Sequence, residues 1–120
     1  MTRTRLVLGV GLAVAAAGAV AGWTVGRARA VAVSGPSMVP TLRHGDAVLA
    51  TPARRVRPGD VVIARFRVRP DLLVVKRAIR PYRDGWWLQG DNPAVTDDSR
   101  RYGVADVLGV VRLRYFRAER

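Results

Sequence analysis

The chain has 120 residues, a formal net charge of +12, no cysteine and a single histidine, His44. Disulfides, thiolate catalysis and cysteine-zinc sites are therefore excluded, and no acidic spacing has the form of a calcium loop, so neither a metal nor a cofactor is expected. Twenty of the 21 basic residues are arginine and only Lys76 is lysine; arginine keeps its proton in a protein, which leaves Lys76 as the one side chain able to act as an amine base.

The N-terminal stretch from Leu6 to Gly26 carries no charge and is flanked by Arg3 and Arg5 on one side and Arg27 and Arg29 on the other. As a helix at about 1.5 Å per residue, its 21 residues match the roughly 30 Å apolar core of a bilayer. A small-x-small site, Ala28-Arg29-Ala30, follows. The run nevertheless exceeds the apolar region of a cleaved signal peptide, about 7–15 residues. It is expected to be a single-pass anchor over about 6–26, within an N-terminal segment 1–30 that precedes a β-rich domain, 31–120. Arginines at both ends leave its orientation undetermined by charge.

From Val31 the pattern changes to short apolar runs cut by turns. Val31–Val33 leads into Ser34–Leu42, which reads SGPSMVPTL. Gly35 and Pro36 bend and stiffen the backbone just ahead of Ser37, and Pro40 follows three residues later. A small hydroxyl held in a tight, irregular stretch between apolar runs is either an ordinary turn serine or a presented nucleophile. Arg43-His44-Gly45-Asp46 reads as an exposed polar turn, which argues against His44 as a triad base. Ala47–Ala50 is a short strand, and Arg57-Pro58-Gly59-Asp60 is a strong turn signal.

Val61–Val68 then alternates with period two towards its end, as a half-buried strand does. Pro70-Asp71 turns the chain into a strand over Leu72–Ile79, Pro81–Gly85 turns it again, and Trp86–Gln89 is strand-like. Trp86 and Trp87 read as core or edge-strand residues, or as membrane-surface anchors. Gly90–Gly103 is a long polar loop, and Leu108–Phe116 closes the chain. Short strands at this spacing define an all-β fold, a small barrel or sandwich.

Lys76 follows four consecutive apolar residues, Leu72–Val75. In a strand, Val74 and Ala78 share its face and Arg77 takes the other. Burial on such a face lowers a lysine's pKa, and a neutral amine near a serine hydroxyl can take its proton. The alternative is a lysine whose stem lies on the sheet while its ammonium reaches water. The loop from Gly90 to Gly103, GDNPAVTDDSRRYG, is dense in residues that bond their own backbone; its length favours a packed, functional loop over a solvated hairpin connection.

Three blocks, SGPSMVPTL, VVKRAI and GDNPAVTDDSRRYG, resemble in order the motifs of type I signal peptidases, membrane-anchored serine endopeptidases with a Ser/Lys dyad. The resemblance covers most of residues 33–116. It implies Ser37 as nucleophile, Lys76 as general base, and Thr96 as the hydroxyl that orients the lysine amine. It also implies Asp98, Ser99 and Arg100 as supports of the dyad and a pair between Asp91 and Arg77. The backbone N–H of Ser37 would form part of the oxyanion hole. Substrates would bind as an extended strand, with shallow pockets for small residues of the Ala-x-Ala kind, lined by Val33, Met38 and the strand around Val74. The partners implied are a precursor protein or its signal peptide and membrane lipid, with no nucleic acid; the catalytic domain would face the extracytoplasmic side of the cell membrane.

The chain departs from the better-known members in three places. Gly35 stands where some carry a second oxyanion donor, only thirteen residues separate Lys76 from Gly90, and the loop reads GDNP. The last two features resemble small peptidases that mature nickel-type superoxide dismutase, so one dedicated precursor is an alternative substrate. A non-catalytic basic β-barrel that binds nucleic acid or anionic lipid would explain the arginines but not a lone lysine in an apolar strand.

Overall fold

A computed structural model describes residues 12–14 and 28–118. Among these residues seven strands form one sheet: β1 (Leu12–Val14), β2 (Arg29–Ala32), β3 (Ala47–Pro52), β4 (Val61–Phe66), β5 (Arg69–Tyr82), β6 (Gly85–Gln89) and β7 (Ala105–Phe116). A single helical turn, α1 (Ser99–Tyr102), precedes β7. The order across the sheet is β1-β2-β3-β7-β4-β5-β6, and β6 also pairs with β7. The expectation of an all-β fold holds for these residues. Four strands, β7-β4-β5-β6, close into a ring, and β3, β2 and β1 extend the sheet from the other side of β7.

Ring closure needs a close backbone approach. Trp86 of β6 pairs with Ala105 of β7, and beside it a Cβ on Gly85 would collide with the Ala105 carbonyl. Glycine allows the contact because it carries no side chain there. β4 and the middle of β5, Leu73–Ala78, are buried on both faces, which is why their apolar runs are nearly continuous. Val62, Ala64 and Phe66 of β4, with Val74 and Ala78 of β5, point into one core; Ile63, Leu73 and Val75 point into the other. The second core also holds Val31, Val33, Met38 and Leu42.

Two expectations change. β4 ends at Phe66, which pairs with Arg69 across a two-residue turn, Arg67-Val68; Val68 is exposed, and Pro70-Asp71 belongs to β5 rather than to a turn. The turn is fastened from outside. The Arg67 guanidinium grips Asp106 through Nε and Nη2 and also donates to the carbonyls of Arg83 and Asp84. Of the expected anchor, Leu12–Val14 is extended and pairs parallel to β2, at Leu12↔Ala30 to Val14↔Ala32, where a helix was expected. The rest of that span lies outside the described residues, among which no helix is long and apolar enough to cross a membrane.

Candidate active site

The Ser37 segment is a loop between β2 and β3, pinned at both ends. Val33 N–H donates to the Asp46 carbonyl, and Gly45 N–H donates to the Val33 carbonyl, both at 2.8 Å. Asp46 is fully buried rather than exposed: its carboxylate accepts from the N–H groups of Arg43 (2.9 Å) and Ala118 (2.7 Å). Met38 and Leu42 sink into the core and hold the inner side of the loop. Gly35 has φ +86°, in the left-handed region where a side chain is strained. Its N–H donates to His44 Nδ1 at 3.0 Å. His44 is exposed, as the sequence suggested, yet it orders the backbone two residues before Ser37.

The loop after β6 clamps Ser37 from the other side. Asn92 N–H donates to the Ser37 carbonyl (2.9 Å), and Asn92 Nδ2 donates to the Pro36 carbonyl (3.1 Å). Gly90 sits so close that a Cβ there would lie 2.5 Å from the Ser37 carbonyl oxygen. Next to it, Asp91 accepts from Arg77 Nε (3.1 Å) and Nη2 (2.5 Å) and from the Thr41 hydroxyl. Asp91 and Arg77 thus form an ion pair, the one the family resemblance implied, and it ties β5 to the nucleophile loop. Among the described residues neither the N–H nor the hydroxyl of Ser37 has a hydrogen-bond partner.

Asp98 is the buried post of this loop. Its carboxylate caps α1, accepting from Arg100 N–H, and also accepts from Gly90 N–H (3.0 Å) and from the Arg100 guanidinium (2.6 and 2.9 Å). Burial, the largest influence, pushes this carboxyl up; the hydrogen bonds from Arg100 and from the Gly90 and Arg100 backbones outweigh it and hold the group below the usual range. Ser99, also buried, uses its Oγ to accept from Leu88 N–H at 2.8 Å. The whole loop is thereby fixed to β6.

Lys76 is 5% exposed. It pairs in register with fully buried Val62 and shares its face with Val74 and Ala78, as period two required. Among the described residues its amine makes no hydrogen bond or ion pair. Burial, the dominant influence, lowers its pKa; Asp98 and Asp97 pull it partly back and Arg100 pushes it down again, and the net direction is down. Ser37 and Lys76 line one open cleft of about 190 Å³, walled also by Ser34, Gly35, Pro36, Leu72 and Val74.

Of the other candidates, Val74 lines this cleft, whereas Val33 and Met38 lie in the core beneath the loop. Thr96 is exposed, and no hydrogen bond joins its hydroxyl to Lys76. Asn92, Tyr102 and Arg69 were not singled out in the sequence. An aromatic residue inside an otherwise polar loop was the available signal for Tyr102; the other two carry none. The Lys76 amine and the Ser37 hydroxyl, in one cleft beside the Ser37 N–H, suit acyl transfer, and the described residues offer no cluster of metal ligands.

Residues 21–112 match the model of the Peptidase S24-like family. The chain belongs to that family, whose relatives here are type I signal peptidase-like. It is 34% identical to mitochondrial inner membrane protease subunit 1 of Mus musculus and 33% identical to that of Homo sapiens, in each case over 72% of this chain and 66% of the relative. The Xenopus tropicalis protein of the same name is 31% identical over 61% of this chain and 58% of its own. The chain thus spans about two thirds or less of the length of these curated relatives.

Proposed function

We propose that this protein is a serine endopeptidase in which Ser37 is the nucleophile and Lys76 the general base. The observation that carries the reading is the only lysine of the chain, buried and lining the same cleft as Ser37, neither side chain having a polar partner among the described residues. The neutral amine takes the Ser37 proton as Oγ attacks the scissile carbonyl. The resulting oxyanion is met by the free N–H of Ser37. The amine's new proton then goes to the leaving nitrogen, and an ester to Ser37 remains. Lys76 next removes a proton from water, which attacks the ester and frees the serine. Asp98, Ser99, Arg100 and Asp91 hold the two loops in place; a role for Thr96 in aiming the amine requires its hydroxyl to turn inward when substrate binds.

The apolar wall of Pro36, Leu72 and Val74 supports small side chains beside the cut, of the Ala-x-Ala kind, and so a secretory precursor or propeptide as substrate. Membrane attachment is supported by the uncharged run 6–26 and by the relatives' names; a helix across a bilayer would require Leu12–Val14 to leave its pairing with β2. The reading is tested with an Ala-x-Ala precursor offered to the full chain and to Ser37→Ala and Lys76→Ala. Cleavage confined to the unaltered protein supports it; equal cleavage by all three refutes it.

A further inference from the structure

The cleft has a charged end that acyl transfer does not use. Tyr102 packs on buried Phe66 with ring centroids 5.1 Å apart. Two guanidinium groups lie over the Tyr102 ring: Arg101 at 5.4 Å and Arg69 at 5.7 Å from its centroid. Arg101 is matched by Asp97, Nη1 to Oδ1 at 2.8 Å. Arg69 has no carboxylate partner among the described residues; the one hydrogen bond of its guanidinium there runs from Nη1 to the Tyr102 hydroxyl at 3.3 Å. Arg65, nearby on the same hairpin, is turned to the Pro70 carbonyl. Arg69, Tyr102, Asp97 and the dyad all line one cleft. Arg69 is therefore its unmatched permanent charge, since Asp97 is already paired.

Its position along the strand sets a distance. Lys76, Val74 and Leu72 follow one another on the cleft face of β5, at about 6.6 Å per pair of residues, so Leu72 lies roughly 13 Å from Lys76. Arg69 begins three residues further on and folds back into the cleft. A substrate extended along β5 covers the same span in about three to six residues. A carboxylate arriving there meets a guanidinium already oriented by a tyrosine, which favours a directed ion pair.

We infer that Arg69, held on Tyr102, is a specificity-determining residue, selecting peptides with an aspartate or glutamate about three to six residues from the cut bond. The inference rests on the Ser/Lys peptidase reading above. The test uses the full chain in detergent micelles and Ala-x-Ala peptides in which one Asp is moved through the flanking positions on each side, each compared with Asn and Lys at the same place. One position in that window is expected to give about 3- to 5-fold higher kcat/KM for Asp than for Asn, the range of a partly exposed ion pair. The ratio should shrink with added salt, fall to about one in Arg69→Gln, and reverse in favour of Lys in Arg69→Glu. Each ratio compares two peptides on one preparation, so incomplete folding of a variant cancels. Ser37-dependent cleavage with no Asp preference anywhere, or a preference that survives in Arg69→Gln, overturns the inference and leaves the peptidase reading intact. Absence of cleavage by the unaltered chain, or cleavage that persists in Ser37→Ala, overturns both.

Discussion

Gly90→Ala tests the clamp on the nucleophile without touching a reacting group. The added Cβ would lie 2.5 Å from the Ser37 carbonyl oxygen and 3.3 Å from both the carbonyl carbon and the Cβ of Ser37. Real Cβ atoms essentially never approach a heavy atom within 3.0 Å, so the two loops must separate by at least about 0.5 Å at this point. The blocking atoms are backbone, which cannot swing aside as a long side chain would. Asn92 N–H now reaches the Ser37 carbonyl at 2.9 Å; the same separation takes that contact to about 3.4 Å, beyond good hydrogen-bond length. Overpacking of this kind costs about 1–3 kcal/mol. Misplacing a reacting atom by about 1 Å can cost 10²-fold in rate, so a loss of roughly 10- to 100-fold in kcat/KM is expected, with Tm lowered by a few degrees. The assay is cleavage of an Ala-x-Ala peptide beside a thermal melt. Turnover within about twofold of the unaltered protein, at an unchanged Tm, would refute the clamp.

Four further outcomes are expected. Lys76→Arg should be inactive, because a guanidinium stays charged. Lys76→Met should flatten the stability profile at high pH: the folded amine titrates below its ordinary value, so between the two values the unfolded chain holds the extra proton and stability rises with pH. Denaturant melts at several alkaline pH values read this slope. Asp98→Ala should cost about 2–4 kcal/mol in urea unfolding, since it strands the Gly90 and Arg100 N–H groups; in the unaltered chain the same stabilisation is present above the ordinary carboxyl pKa and lost as pH falls through the depressed one. His44→Ala should lower kcat several-fold by freeing Gly35 N–H, while His44→Asn, which keeps an acceptor, should recover much of it; equal loss in both variants would mean that the contact has no such role.

The parts of this molecule that depend on short-range pattern were legible in the sequence. Period two put Lys76 with Val74 and Ala78, and the fold class followed from short apolar runs between turns. Long-range partners decided the rest. Asp46 reads as a turn residue, but Ala118 reaches back 72 positions to bury it. The turn at Arg67-Val68 contains no glycine, proline or asparagine, and it exists because Asp106 holds Arg67 from β7. The family resemblance implies Val33 and Met38 as pocket-lining residues, yet the loop they anchor turns them into the core. The fit of Gly90 against Ser37 joins positions 53 apart, and no local signal encodes it.

The central claim is a neutral amine at Lys76, and the composition offers a direct way to see it. With a single lysine in the chain, labelling lysine with ¹³C at Cε gives one side-chain resonance, which can be followed through a pH titration in the Ser37→Ala protein. A midpoint clearly below the ordinary lysine value of about 10.4 is the expected result. A midpoint at or above that value would contradict the account.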